Sequence, residues 1–436
     1  PLNPSRPDSG RSSFLAVTPA AEAPPSPVPH RLPPAPASAP VPAGRLHSLD
    51  AYRGLIMVSL AFNGFGLAAT SRNYLATNPD SGFWAAVYHH FSHAEWVGGG
   101  FWDLIQPSFM FMVGVSMAYS YLNRQRAGHS WGRMFGHAVW RGLALGVLGI
   151  FLISNARATT QWSLMNVLTQ IGLGYPFLFL LWGRSLRTHV IAAAALLLGT
   201  WALYTFHPAS GIDPAQGAPD AGVSAAWAQK HLAGVGPAWH KNANVGHTVD
   251  GWLLNLLPQQ EPWVFNSGGY QTINFIPALA TMLFGLMAGE LLRSGRSPRR
   301  KGLLLVAAGL GGLAAGVGWS WLGCPLVKRI WTPSWALYST GWCCLILAAL
   351  YAVLDLRQWR AWSFPLLVVG MNSIAIYSMS MLLKPWTSKT LQTHFGADLF
   401  NLLGPANAPF VQATLAGLVF WLVCWWMYRR KIFLRI

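Results

Sequence analysis

Apolar residues along this chain come in runs about as long as a lipid bilayer is thick, separated by short polar turns or by longer mixed segments. A hydrocarbon core requires about 20 predominantly apolar residues per helix. Ten stretches meet that requirement: 51–70, 101–123, 136–155, 163–182, 190–206, 271–292, 303–323, 335–354, 364–383 and 409–428. The pattern predicts an all-α, polytopic integral membrane helix bundle with about ten transmembrane helices. Composition agrees, because 53% of the residues are hydrophobic and only 10% are charged, against about a quarter charged in an ordinary soluble domain. Such a chain cannot cover itself with polar surface in water.

A net charge of +17 raises the question of nucleic acid, and the placement of the basic residues answers it. With the N-terminus inside, the outer segments hold Arg72, Arg157, Lys230, Lys241, Lys328, Arg329, Lys384 and Lys389, eight of the 30 Lys and Arg. The other 22 fall on the inner side, including Arg124, Arg126, Arg133, the run Arg299, Arg300, Lys301 and the tail Arg429, Arg430, Lys431. That bias sets an orientation with both termini inside. It also argues against a nucleic-acid partner, since no single basic patch forms. Cys324, Cys343, Cys344 and Cys424 lie in or beside apolar stretches, with no disulfide framework or metal-ligand spacing.

Residues 1–44 are dense in Pro, Ala and Ser and too poor in apolar side chains to offset the entropy of ordering, so they read as a disordered cytoplasmic tail. The remainder, 45–436, reads as one transmembrane domain with two long outward segments, 71–100 and 207–270. Long loops in compact proteins tend to be functional. The second carries Trp227, Trp239, Trp252 and Trp263, which suit the apolar faces of sugar rings and equally suit anchoring at the membrane interface.

Ionisable groups near hydrocarbon are costly enough to demand a reason. Asp50, Asp103 and Glu290 are the acidic residues closest to the apolar runs. Glu290 has Arg293 within reach as a partner. Asp103 stands just inside the start of the second run, ten positions after His93, with Gly98, Gly99 and Gly100 between them. A bend there would fold the histidine back on the carboxylate, the usual construction of a general base near neutral pH. His89 and His90 raise a metal alternative, but no compact set of further ligands accompanies them, and no metal is expected. Asn63, Gln170, Gln271, Asn274 and Asn372 fall within the apolar runs, either as ties between helices or as the lining of a shared polar cavity.

The stretch Arg45–Leu46–His47–Ser48–Leu49–Asp50–Ala51–Tyr52–Arg53–Gly54 resembles the opening of the heparan-alpha-glucosaminide N-acetyltransferase family. His93–Ala94–Glu95–Trp96, Gly98, Asp103–Leu104 and Pro107 are similar to its next block without a gap. Asn166–Val167–Leu168 through Tyr175, Thr272–Ile273–Asn274, Pro325 with Lys328 and Trp331–Thr332, and Gly370–Met371–Asn372–Ser373 are similar to later blocks in the same order. The resemblance implies that His93 is catalytic, as general base or acetyl carrier, with Asp103 beside it. It implies acetyl-coenzyme A as cytoplasmic donor, an amino sugar on the periplasmic face as acceptor, and Asn63, Gln170, Asn274, Lys328 and Asn372 as substrate-binding residues. Gln170 stands where many members have Arg, and Val327 where an Asn precedes the lysine. The Asn266–Tyr270 turn suggests a bacterial branch, placing the protein in the inner membrane, and a homodimer stays open. The rival reading from another class is an amino-sugar transporter in which His93 and Asp103 relay protons.

Overall fold

A computed structural model describes residues 46–209 and 211–434. The expected tail at 1–44 lies outside them. The described chain is helical, with two isolated bridges and no strand. In chain order the first helices are α1 (His47–Ala61), α2 (Leu67–Thr77), α3 (Gly82–Phe91), α4 (Ile105–Arg126), α5 (Trp131–Ser154), α6 (Val167–Leu181) and α7 (Leu186–Phe206). Two short ones follow, α8 (Ala225–His231) and α9 (Val245–Leu253), then α10 (Phe275–Arg293), α11 (Pro298–Trp321) and α12 (Pro333–Leu350). The last are α13 (Phe364–Gly370), α14 (Ser373–Leu382), α15 (Lys384–Phe395) and α16 (Ala408–Arg429).

Six helical segments are long and apolar enough to cross a membrane, and up to eight if each of two bent pairs counts as one span. The ten expected runs all contain helix, so the difference lies in length and polarity. α6 has only 15 residues. α4 is long enough at 22 residues but carries Gln106, Ser108 and Ser116. Helix α4 need not be apolar, because most of it faces protein: Met110, Phe111, Val115, Met117 and Ala118 are buried. Conversely Trp140, Val147 and Phe151 of α5, Leu198 of α7, Leu303 and Leu310 of α11 and Leu422 of α16 are exposed. Large apolar side chains displayed on so many helices belong in lipid, and the chain is a multi-pass membrane protein.

Glycines set the closest helix contacts. α4 and α10 run side by side in the same direction, and a Cβ at Gly114 would stand 1.8 Å from the Met282 carbonyl oxygen. A Cβ at Gly285 would stand 2.0 Å from that of Phe111. In lipid, where apolar burial gives little drive to association, such backbone-to-backbone packing is a main source of helix affinity. The start of α1 is tied down by Asp355, whose carboxylate accepts from the His47 and Ser48 amides at 3.0 and 3.1 Å, placing negative charge at a helix N-terminus.

Two expected spans are broken. The run 51–70 passes through a left-handed turn at Asn63–Gly66, where all four φ angles are positive, and α1 and α2 meet at 46°. The run 364–383 breaks at Met371–Asn372, and the helices on either side differ by 68°. The segments expected as long loops are also structured. α2 and α3 form a helical hairpin within 67–91, and 207–270 folds around its own core of Ile212, Val223, Trp239 and Val245, packed against Trp96, Tyr204 and Val327.

Candidate active site

The site is assembled where the segment 92–104 turns back on itself. Gly98 takes φ +96°, a conformation that L side chains rarely adopt. At Gly100 a Cβ would lie 2.4 Å from the His89 carbonyl oxygen, so only hydrogen fits. The bend brings His93 Nδ1 to 2.8 Å from Asp103 Oδ1. The other carboxylate oxygen accepts from the backbone amides of Ala94 at 3.0 Å and Gly100 at 3.2 Å. Asp103 is 1% exposed, and its orientation is fixed by the loop that it closes.

A second segment, the turn before α12, completes the cluster. Gly98 N donates to Leu326 O at 2.8 Å, and Thr332 Oγ1 holds the turn by accepting from Val327 N at 3.0 Å. This brings Lys328 Nζ to 3.2 Å from Asp103 Oδ1 and 3.1 Å from His93 Nδ1. Arg329 beside it donates to the carbonyls of Ala94 at 3.2 Å and Gly268 at 2.8 Å, locking the 266–270 turn to the histidine loop. Nδ1 either donates to the carboxylate or accepts from the ammonium, and the carboxylate contact is the shorter. With Nδ1–H donated to Asp103, the lone pair of the ring sits on Nε2, which makes no hydrogen bond among the described residues.

His93 stands at a cavity of about 340 Å³. Its polar lining comes from Gln106, Ser163, Asn166, Asn266, Tyr270 and Lys328. Its apolar lining comes from Leu60, Ile105, Phe109, Ile153 and Val167, with Trp102 beside the histidine. The His93 side chain is 43% exposed. Partial burial is the main cause that holds its imidazole below the ordinary titration range; the Asp103 hydrogen bond opposes that effect and the Lys328 charge adds to it. The ring is therefore neutral at neutral pH, with a lone pair available to take a proton or an acyl group.

His93, Asp103 and Lys328 come together; the expected amides do not join them. Gln170 is buried and donates to the carbonyls of Leu164 at 2.7 Å and Thr272 at 2.9 Å, tying the start of α6 to that of α10. Asn274 donates to Arg329 O at 2.8 Å, supporting the lysine turn from behind. Asn372 donates to Ile432 O at 3.1 Å and accepts from Leu434 N at 3.2 Å, holding the end of the chain at the α13–α14 break. Asn63 is exposed in the left-handed turn after α1. None of these four lines the cavity. Among the Trp residues of 207–270, Trp239 is buried against Tyr204, and the indole at the cavity is Trp102 instead. Gln106 was not anticipated, although its place one turn after Asp103 was a usable signal. Among the described residues no group of three His, Cys, Asp or Glu is arranged to hold a metal ion.

Fold and site together define a multi-pass helical membrane protein with a histidine–carboxylate pair at a cavity. No protein-family model matches the chain. It is 22% identical over 447 residues to heparan-alpha-glucosaminide N-acetyltransferase of Homo sapiens, covering 90% of this chain and 60% of the human protein. The protein of the same name from Mus musculus is 22% identical over 439 residues, covering 90% of this chain and 61% of its own length. This supports a distant relationship spread along nearly the whole chain, while the chain spans about 60% of the length of the relatives it matches.

Proposed function

We propose that this chain is a membrane acetyltransferase that moves the acetyl group of acetyl-coenzyme A to the amine of a glucosamine-type sugar, with His93 at the centre of the reaction. The observation that carries the reading is the 2.8 Å contact of His93 Nδ1 with a buried Asp103 at a cavity of about 340 Å³. The names of the human and mouse relatives supply the reaction class and the sugar.

An amino sugar is mostly protonated at neutral pH and must lose a proton before it attacks. His93 Nε2 takes that proton, the amine nitrogen bonds to the thioester carbon and sheds a second proton to solvent, the carbon–sulfur bond breaks, and the imidazolium returns the first proton to the departing sulfur. In the covalent variant His93 Nε2 itself attacks the thioester, releases the thiol and then passes the acetyl group to the amine. The polar side chains that line the cavity, Lys328 apart, suit sugar hydroxyls, and the apolar ones, with Trp102, suit the ring face. The reading extends to about ten spans, with 45–436 forming the transmembrane acetyltransferase domain, both termini in the cytoplasm, the donor entering from that side, the acceptor on the periplasmic side, and residence in a bacterial inner membrane. The inward bias of Lys and Arg supports the orientation in this reading.

The two broken spans favour the second reading, an amino-sugar transporter, since discontinuous helices commonly build transport sites. Against it, neither break lines the cavity at His93. Purified protein in detergent, given radiolabelled acetyl-coenzyme A and glucosamine-type acceptors, is expected to form N-acetylated product, and His93→Ala to lose it by about 100-fold or more. Undiminished acetylation by His93→Ala overturns the assignment. Sugar uptake into sealed vesicles without acetylation replaces it with transport.

A further inference from the structure

Lys328 was expected to hold substrate, but its surroundings fit another task. Its side chain is 5% exposed, and its ammonium lies 3.2 Å from the Asp103 oxygen to which His93 also donates. A carboxylate beside a histidine normally does two things together: it orients the ring and it makes the ring more basic by stabilising the imidazolium. A fixed positive charge beside that oxygen and 3.1 Å from Nδ1 opposes the second effect, while the shorter 2.8 Å contact of Nδ1 with Asp103 Oδ1 keeps the first.

We propose that Lys328 is a positioning residue that separates these effects, so that Asp103 holds the tautomer of His93 while the ring stays neutral. The other groups around the imidazole do not supply that balance. Glu95, in the same loop, lies 4.0 Å from Arg329, and Arg329 adds to the lowering of the ring's proton affinity less than Lys328 does. Arg329, on the same turn as Lys328, directs its donors at the Ala94 and Gly268 carbonyls. From the 266–270 turn Tyr270 faces the cavity, and α1 and α6 contribute only Leu60, Asn166 and Val167. Lys328 is thus the cation placed directly on the histidine–carboxylate contact. The catalytic consequence rests on the acyl-transfer reading; the effect on the ring does not.

The test therefore reads the ring itself. Neutral imidazole reacts with diethyl pyrocarbonate, and peptide mass spectrometry of the full-length protein in detergent gives the modified fraction of His93 at each pH. Lys328→Met is expected to move the midpoint of that profile up by about one pH unit, and Lys328→Arg to keep it near the wild-type position. If Lys328→Met does not fold, Lys328→Gln carries the same expectation. The acid limb of kcat/KM for acetyl transfer moves with the midpoint, while the acceptor KM stays as in wild type. An unchanged midpoint in the neutral variants, or an equal shift in Lys328→Arg, overturns the proposal; so does a raised acceptor KM without a shift, which returns Lys328 to substrate binding. A shifted midpoint in a protein that transfers no acetyl group upholds the role of Lys328 and removes the acetyltransferase reading.

Discussion

Lys328 reaches across 225 positions of sequence to place its ammonium 3.2 Å from Asp103, a carboxylate that is itself 1% exposed. Asp103 is thereby held on four sides, by His93, Lys328 and the amides of Ala94 and Gly100. A carboxylate so engaged acts as a fixed anion for the histidine, and its replacement has readable consequences.

Asp103→Asn keeps the shape of the side chain and removes its charge. Lys328 is then left as an unpaired buried cation, a change that costs about 3 kcal/mol in comparable pairs. The melting temperature is expected to fall by several degrees, and kcat by about 100-fold or more as the ring loses its preferred tautomer. Thermal unfolding in detergent, measured beside the acetyl-transfer assay, checks both; unchanged kcat rules out a role for Asp103 in orienting the ring.

The pH profile should show its acid limb below the ordinary histidine range. Burial lowers the proton affinity of His93, so the neutral, reactive ring persists as pH falls past 6.5, the usual histidine value, and is lost only below it. Measured kcat/KM is expected to be flat through neutrality and to drop in more acidic buffer. A limb centred above 6.5 would show that Asp103 outweighs burial and Lys328.

Gly100→Ala tests the bend independently of any charge. The added Cβ would sit 2.4 Å from the His89 carbonyl oxygen, backbone that has no flexible end to move aside. The loop must shift, at a cost of about 1–3 kcal/mol, and the His93–Asp103 contact shifts with it. Activity is expected to fall by more than tenfold while overall helicity by circular dichroism stays unchanged. Wild-type activity in this variant would mean that the registration of the two side chains does not depend on the bend.

A separate carboxylate governs stability. Asp250 in α9 is fully buried, and its pKa is raised to about 6 by that burial, against the hydrogen bonds from Thr272 that favour its ionised form. A group whose folded pKa lies above its unfolded value stabilises the fold below the unfolded pKa, and that contribution is lost as pH rises through the folded one. The loss accumulates between about 4, the unfolded carboxylate value, and 6. Asp250→Asn keeps an acceptor for Thr272 N without the charge. It is expected to raise the melting temperature by a few degrees at pH 7.5 and to have little effect at pH 4, measured by thermal unfolding at the two pH values.

The helical, membrane-spanning character of the chain and the pairing of His93 with Asp103 were legible in the sequence because both depend on local spacing. Helical character follows from runs of apolar residues, and the bend follows from three successive glycines between a histidine and a carboxylate ten positions apart. The breaks at Asn63–Gly66 and Met371–Asn372 were not legible, since hydropathy averages over a turn that changes direction without changing polarity. The duties of the buried amides were equally hidden. Gln170, Asn274 and Asn372 look alike in sequence, and only their neighbours in space show that each holds backbone carbonyls rather than lining the cavity. Lys328 marks the same divide: sequence supplied a lysine in an outer turn, and the packing of that turn on the histidine loop set its charge against Asp103. Patterns with short periods determine what each segment becomes; which groups share a charge is decided only when distant segments meet.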